Sequence, residues 1–175
     1  MTVFFTSDTH FGHAGARGLY RRPFASTEEM DATMVARWNQ AVGPDDDVWH
    51  LGDVAVGQGA ARVAALLDAL HGRKHLVTGN NDPPATTVQP GWASVQPYAE
   101  TLVDGVHLVL CHYAFRTWRN SGRGWLNLHG HSHGRQAPLP RQADVGVDCW
   151  AFRPVTLAEI TARMSARRRR AASPP

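Results

Sequence analysis

Ten of the 175 residues are histidines, and six of them gather in three places: His10 with His13, His112 by itself, and His129, His131 and His133 in alternation. Aspartate and glycine stand beside them, as in Asp8-Thr9-His10-Phe11-Gly12-His13 and His129-Gly130-His131-Ser132-His133-Gly134. Two further stretches share this texture without histidine, Gly52-Asp53 and Gly79-Asn80-Asn81-Asp82. Imidazole nitrogen and carboxylate oxygen are ligands of borderline divalent ions, so the grouping points to metal. Singly, each stretch is ordinary. Asp-x-His arises by chance, Gly-Asp and Gly-Asn-Asn-Asp are turn sequences, and a lone histidine after a strand is usually a satisfied polar group.

What changes their weight is the element before each one. Residues 2–7 form a β-branched and aromatic run that ends in Asp8, which predicts a buried strand opening into a polar loop. Short strands over 48–51, 74–78, 106–110 and 125–128 deliver Gly52-Asp53, Gly79-Asn80, Cys111-His112 and Gly130-His131 in the same way. Strands lying side by side would bring all five loops to one face, as in open α/β folds. The elements between them are legible too. Ser26 and Glu29 have capping-box spacing at the head of a helix running to about Ala41, with Met30, Met34, Val35 and Trp38 as its apolar stripe. A second helix is predicted over 60–70, and Asp104-Gly105 is a strong hairpin signal between 101–103 and 106–110. Residues 83–97, rich in Pro, Thr, Gly and Gln, predict an irregular surface excursion, and 144–148 a late strand. Thr156 with Glu159 caps a last helix.

In order, Asp8-Thr9-His10, Gly52-Asp53, Gly79-Asn80-Asn81-Asp82, His112 and Gly130-His131-Ser132-His133 resemble the motif series of the calcineurin-like metallophosphoesterase superfamily. The resemblance spans residues 8–133 and implies a four-layer α/β sandwich, two mixed β-sheets packed face to face with helices outside. It implies hydrolysis of phosphate esters at two divalent ions. Asp8, His10, Asp53 and His133 would hold one, and Asp53, Asn80, His112 and His131 the other. Elementary chemistry agrees: a carboxylate shared between two dications offsets their repulsion, and N/O ligands suit Mn first, then Fe, Zn or Ni, over Ca. Two such ions roughly 3.5–4 Å apart can generate a bridging hydroxide and clamp the oxygens of an in-line displacement.

The sequence departs from the family pattern at Asn81, where many members carry a histidine thought to protonate the leaving group. An amide cannot do that, although it can donate a hydrogen bond to a phosphate oxygen. His13, three residues past His10, is the candidate acid in its place. Arg116, Arg119 and Arg123, between His112 and Gly130, are candidate phosphate contacts, with Arg17, Arg21 and Arg22 less sharply placed. Asp82 is expected to fix the Gly79-Asn80-Asn81 turn, and His129 to brace its neighbours.

The bulk composition bounds the rest. At 43% hydrophobic, 175 residues fit one domain, expected over 1–166, followed by a basic, disordered tail over 167–175. The formal charge of +3 lies largely in Arg163 and Arg167 to Arg170. Such a run is ordinarily a solvated helix end, so it admits nucleic acid as a partner without indicating it. No apolar run approaches the ~20 residues of a membrane span, and Cys111 and Cys149 sit in apolar settings that suit reduced thiols. The expectation is a cytoplasmic protein acting on a phosphate-ester small molecule or nucleotide, of unassigned oligomeric state. Two rivals remain: a metal-binding scaffold of the same fold without turnover, against which stands the intact ligand set, and a nucleic-acid-binding module, which lacks Cys-rich zinc spacing and aromatic RNA-binding signatures.

Overall fold

A computed structural model describes residues 1–172. In chain order its elements are β1 (Val3–Thr6), α1 (Ala16–Leu19), α2 (Thr27–Ala41), β2 (Asp47–His50), α3 (Ala60–Ala69), β3 (Arg73–Val77), α4 (Pro84–Thr87), β4 (Trp92–Gln96), β5 (Ala99–Val103), β6 (Val106–Leu110), β7 (Leu126–His129), β8 (Gln142–Asp144), β9 (Val155–Thr156) and α5 (Leu157–Ala172). They build two mixed sheets flanked by helices. The first has strand order β4-β3-β2-β1-β9, parallel from β1 to β4 with β9 antiparallel at its edge. The second has order β5-β6-β7-β8, in which only the β5–β6 pair is antiparallel.

The period-two alternation of strand side chains sends the two faces of the first sheet to different cores. Phe4, Val48 and Leu76 meet Met30, Met34 and Trp38 of α2 and Val63 and Leu67 of α3. Phe5, Leu51 and Val77 meet Leu108, Leu110 and Leu128 of the second sheet, with Leu157 and Ile160 of α5 in the same cluster. Both faces are covered, and β1 is accordingly apolar up to Thr6, while the polar starts of β2 and β3 are paired with each other through Arg73 and Asp47 at 2.6 Å. Ser26 caps α2 by accepting a hydrogen bond from the Glu29 N–H at 3.0 Å. Thr156 and Glu159 close the capping box of α5 at 3.3 and 2.9 Å. Asp104 and Gly105 adopt φ of 49° and 77°, the two left-handed residues that a tight hairpin between β5 and β6 demands.

Three expectations are corrected. The stretch 83–97 is not irregular: α4 and β4 occupy most of it, because Trp92 buries its ring and donates its indole N–H to the Thr86 carbonyl at 2.8 Å, seating β4 beside β3. The late strand ends at Asp144, and Val147–Cys149 is a 3₁₀ turn. The arginine run is helical, since α5 continues to Ala172 on alanine and arginine, both good helix formers. Residues 173–175 of the expected tail lie outside the described residues. No helix among the described residues is long and apolar enough to cross a membrane.

Candidate metal centre

The strands β1, β2 and β3 are parallel neighbours, as are β6 and β7, so the loops leaving their C-terminal ends gather along one edge of the sandwich. Asp53 stands in the middle of what they bring together. Its Oδ2 lies 3.6 Å from His10 Nε2, and its Oδ1 lies 3.6 Å from His112 Nε2. Asp8 Oδ1 is 4.0 Å from His10 Nε2 and 3.7 Å from His133 Nε2. Asn80 Oδ1 is 3.1 Å from His112 Nε2. Donor atoms of Asp8, His10 and His133 fall within 4.8 Å of one another, and so do those of Asp8, Asp53 and His112. His131 is at the rim: it is exposed, its ring centroid 5.2 Å from that of His112, while its N–H donates to Asp8 Oδ2 at 2.9 Å.

The backbone that makes this convergence possible is strained. Asp8, His10, Asp53, His131 and His133 all have positive φ, between 47° and 65°, a region that side chains with a Cβ rarely occupy and that concentrates at functional sites. Two glycines are required by close approach rather than by φ. A Cβ on Gly79 would strike the Asp53 carboxylate and amide, and one on Gly130 would strike Ser7 and the Asp8 carboxylate.

Other residues hold the ligand side chains in orientation. His133 Nδ1 pairs with Asp148 Oδ2 at 2.7 Å, which leaves Nε2 facing Asp8. Asp148 is gripped in turn by the buried Arg22 through two contacts of 2.9 Å. Arg22 also donates to the Thr9 and Asp8 carbonyls at 2.8 and 2.6 Å. His112 Nδ1 donates to the Leu51 carbonyl at 2.7 Å, so its Nε2 is the free nitrogen. Asp82 accepts from the N–H groups of Asp53, Val54 and Gly79 at 2.8, 2.9 and 2.8 Å, the turn-fixing role expected of it. The buried His129 rests its Nδ1 2.8 Å from the Gly130 carbonyl.

The electrostatics show why these residues suit a cation. Burial pushes the Asp8 carboxyl well above the usual carboxylate range; the Ser7 hydroxyl and the His131 N–H oppose the shift, and the charges of Asp144 and Asp53 reinforce it. Burial likewise holds His10 down to about 3, against the pull of Asp53 and with Arg22, His133 and His13 adding to it. Both ring nitrogens of His10 are buried without a hydrogen-bond partner. An imidazole with no hydrogen bond, carboxylates clustered away from water and an amide oxygen beside them form a donor set that fits divalent metal, which removes the cost of burying those groups together.

The remaining sequence candidates fall in different places. His13 lies next to the cluster, its ring centroid 5.5 Å from that of His10, with a buried, unpartnered Nδ1. Asn81 turns toward Asp53, donating its N–H to Oδ1 at 2.8 Å and its side-chain amide to Oδ2 at 2.7 Å. Arg119 is committed elsewhere, to Glu100 at 2.6 Å and over the Trp125 ring at 5.3 Å. Arg116 and Arg123 are exposed in the same loop. Arg22, grouped in the sequence with possible substrate contacts, is a buried brace instead. Tyr20 and Asp148 were missed altogether: the Tyr20 ring stacks on His133 at a centroid distance of 3.5 Å. The only sequence signal for Asp148 was a carboxylate at the end of an apolar run.

Residues 1–147 match the calcineurin-like phosphoesterase superfamily domain, and the chain belongs to that superfamily. It is similar to the gene 66 protein of Mycobacterium phage D29, 33% identical over 179 residues covering 85% of this chain and 88% of that protein. It is also similar to the uncharacterized protein MJ1445 of Methanocaldococcus jannaschii, 28% identical over 163 residues covering 89% of this chain and 86% of the relative. Among solved structures, the protein of unknown function AQ665 from Aquifex aeolicus superposes with a TM-score of 0.72 at 21% identity, covering 92% of this chain and 98% of its own. That likeness is one of fold.

Proposed function

We propose that this protein is a cytoplasmic hydrolase of phosphate esters, mono- or diesters of nucleotide-like substrates, dependent on two divalent ions, with manganese foremost and iron, zinc or nickel as alternatives. The observation that carries the reading is Asp53, whose two carboxylate oxygens each lie 3.6 Å from the Nε2 of a histidine from a different loop. Asp8, His10, Asp53 and His133 would hold one ion, and Asp53, Asn80, His112 and His131 the other. Ions there would supply an activated water at neutral pH and offset charge on the phosphoryl oxygens. The chain's own part is orientation: Asp148 and the Leu51 carbonyl turn His133 and His112 so that each offers Nε2 inward. Asn80, Asn81, Tyr113 and His131 form an exposed rim through which substrate can reach the centre. His13 would protonate the leaving oxygen. The two cysteines, both unbridged, support a reducing compartment.

The test is turnover of mono- and bis-nitrophenyl phosphate by the purified protein with Mn²⁺, alongside elemental analysis. Hydrolysis that needs the metal and disappears in Asp53→Asn is expected. No turnover with any divalent ion, together with no bound metal, would sink the enzyme reading.

A further inference from the structure

Beyond the candidate metal centre, α5 carries five arginines, Arg163 and Arg167 to Arg170. Arg163 and Arg167, four residues apart and so on one helix face, line a small hollow of about 30 Å³ whose lining also includes His129, Gly134 and Asp144. That part of the lining is the back of the loop carrying His131 and His133. Arg167 also lines the next hollow, about 280 Å³, with Arg168, Arg141 and the segment Pro138-Leu139-Pro140. Arg168 and Arg141 line a third, about 190 Å³. Met164 lies in all three, so they adjoin as a shallow groove along α5, walled by the loop of residues 134–141 and, at its far end, by Gly124 and Leu126.

Four arginines of the lining face one carboxylate. The one acid among the lining residues is Asp144, and its carboxylate already accepts from the Ser132 hydroxyl and the Gly134 and Gly146 N–H groups at 3.0, 2.8 and 2.8 Å. Two of the arginines are pre-positioned. Arg163 lies 4.3 Å over the Trp150 ring and donates to the Cys149 carbonyl, and Arg141 donates to the Ser121 carbonyl at 2.8 Å. Each keeps its other N–H groups for an incoming anion. Arg167 and Arg168 are exposed and meet no carboxylate among the described residues.

We infer that this groove binds a single-stranded polynucleotide through its phosphodiester backbone, on the face of the chain behind the loop that carries His131 and His133. A row of guanidinium groups over an apolar floor of Met164, Leu139 and proline matches a ligand with regularly repeated single charges and apolar faces between them. A lipid headgroup would need a broad apolar flank, whereas Leu139 is the single exposed large apolar side chain of this wall. The inference deepens the phosphoesterase reading by naming a polymeric diester as its substrate, and rests on that reading only for the cleavage of the bound strand.

The experiment is fluorescence anisotropy of a labelled oligodeoxythymidylate of about 20 nucleotides, long enough to exceed the groove, with the full chain in EDTA so that turnover plays no part. Binding should weaken steeply between about 50 and 200 mM salt, with a log–log slope of roughly −2 to −3 for three or four phosphates. R167Q/R168Q should weaken it about tenfold and flatten the slope by roughly 1.4, two phosphates' worth. R141Q, outside the helix, should act in the same direction even if the double variant disturbs α5. Arg62→Gln on α3 should change nothing. The inference is overturned if the arginine variants bind as the parent does, if polyglutamate competes as well as the oligonucleotide, or if phosphatidylserine vesicles are bound in preference to it. A chain that binds the oligonucleotide through these arginines yet cleaves no ester upholds the groove and sinks the phosphoesterase reading alone.

Discussion

The two halves of the candidate metal centre are built differently. The half around Asp8, His10 and His133 is buried, and its outer ligand is locked by a chain that runs from His133 through Asp148 to Arg22 and back to the Asp8 carbonyl. The half around Asn80, His112 and His131 is more open: Asn80 and His131 are exposed, and the side chain of the buried His112 is oriented by a single backbone carbonyl. Pre-oriented ligands lose less freedom on binding, so the first half should hold an ion more tightly and the second should exchange it more readily. The open half is also the one bordered by the exposed Tyr113, whose hydroxyl donates to Asn80 Oδ1 at 3.4 Å, and under the proposed function it is the one a substrate would meet first.

The largest effect should come where the halves join. Asp53→Asn removes the shared charge and should cost on the order of a thousandfold in kcat/KM with Mn²⁺, while lowering the metal content of both halves. Retention of either ion at full occupancy would show that the halves are independent.

His13 belongs to the buried side. His13→Ala should slow hydrolysis of an alkyl ester about a hundredfold more than that of a nitrophenyl ester, whose leaving group needs no proton. Equal losses on the two would remove it as the acid and leave the open half to supply one.

Asp148→Asn and Asn80→Ala compare the halves directly. Each should weaken one of two metal-binding events by about 10–100-fold, the tighter for Asp148→Asn and the weaker for Asn80→Ala. Calorimetric titration of both variants checks this, and weakening of the same event by both would end the distinction.

The smallest effect concerns the helix beside the site. Glu159 is held below its usual pKa, chiefly by Arg153 and then by the Thr156 N–H and hydroxyl. A depressed folded-state pKa gives stability that is present above the unfolded value of 4.5 and is lost as pH falls below it. Thermal melts should therefore show a small acid-side loss in the parent that Glu159→Gln lacks. A parallel loss in both would assign it to other carboxyls held below their usual range, such as Asp47 beside Arg73 and Asp148 beside His133 and Arg22, because the raised Asp8 gives the opposite slope.

Much of this was legible in the sequence because the ligands come in local motifs, each just after a strand whose own pattern is plain. The helix starts at Ser26 and Thr156 and the Asp104-Gly105 hairpin were legible for the same reason. What escaped notice depends on distant partners. Arg22 and Asp148 are separated by 126 residues, and neither residue's neighbours announce the pair. The partner of Arg119 is likewise distant in sequence: Glu100, on β5, pairs with its guanidinium at 2.6 Å. β4 was hidden by its proline- and glycine-rich surroundings until Trp92 found the Thr86 carbonyl.

The left-handed backbone at Asp8, His10, Asp53, His131 and His133 bears on how this protein could change. Glycine relieves such strain, so at these positions the substitutions that make the metal-free chain easier to fold are also those that delete a ligand. Selection for thermal robustness alone would therefore erode the centre first, and a relative that kept the fold but lost the chemistry should carry glycines at these positions.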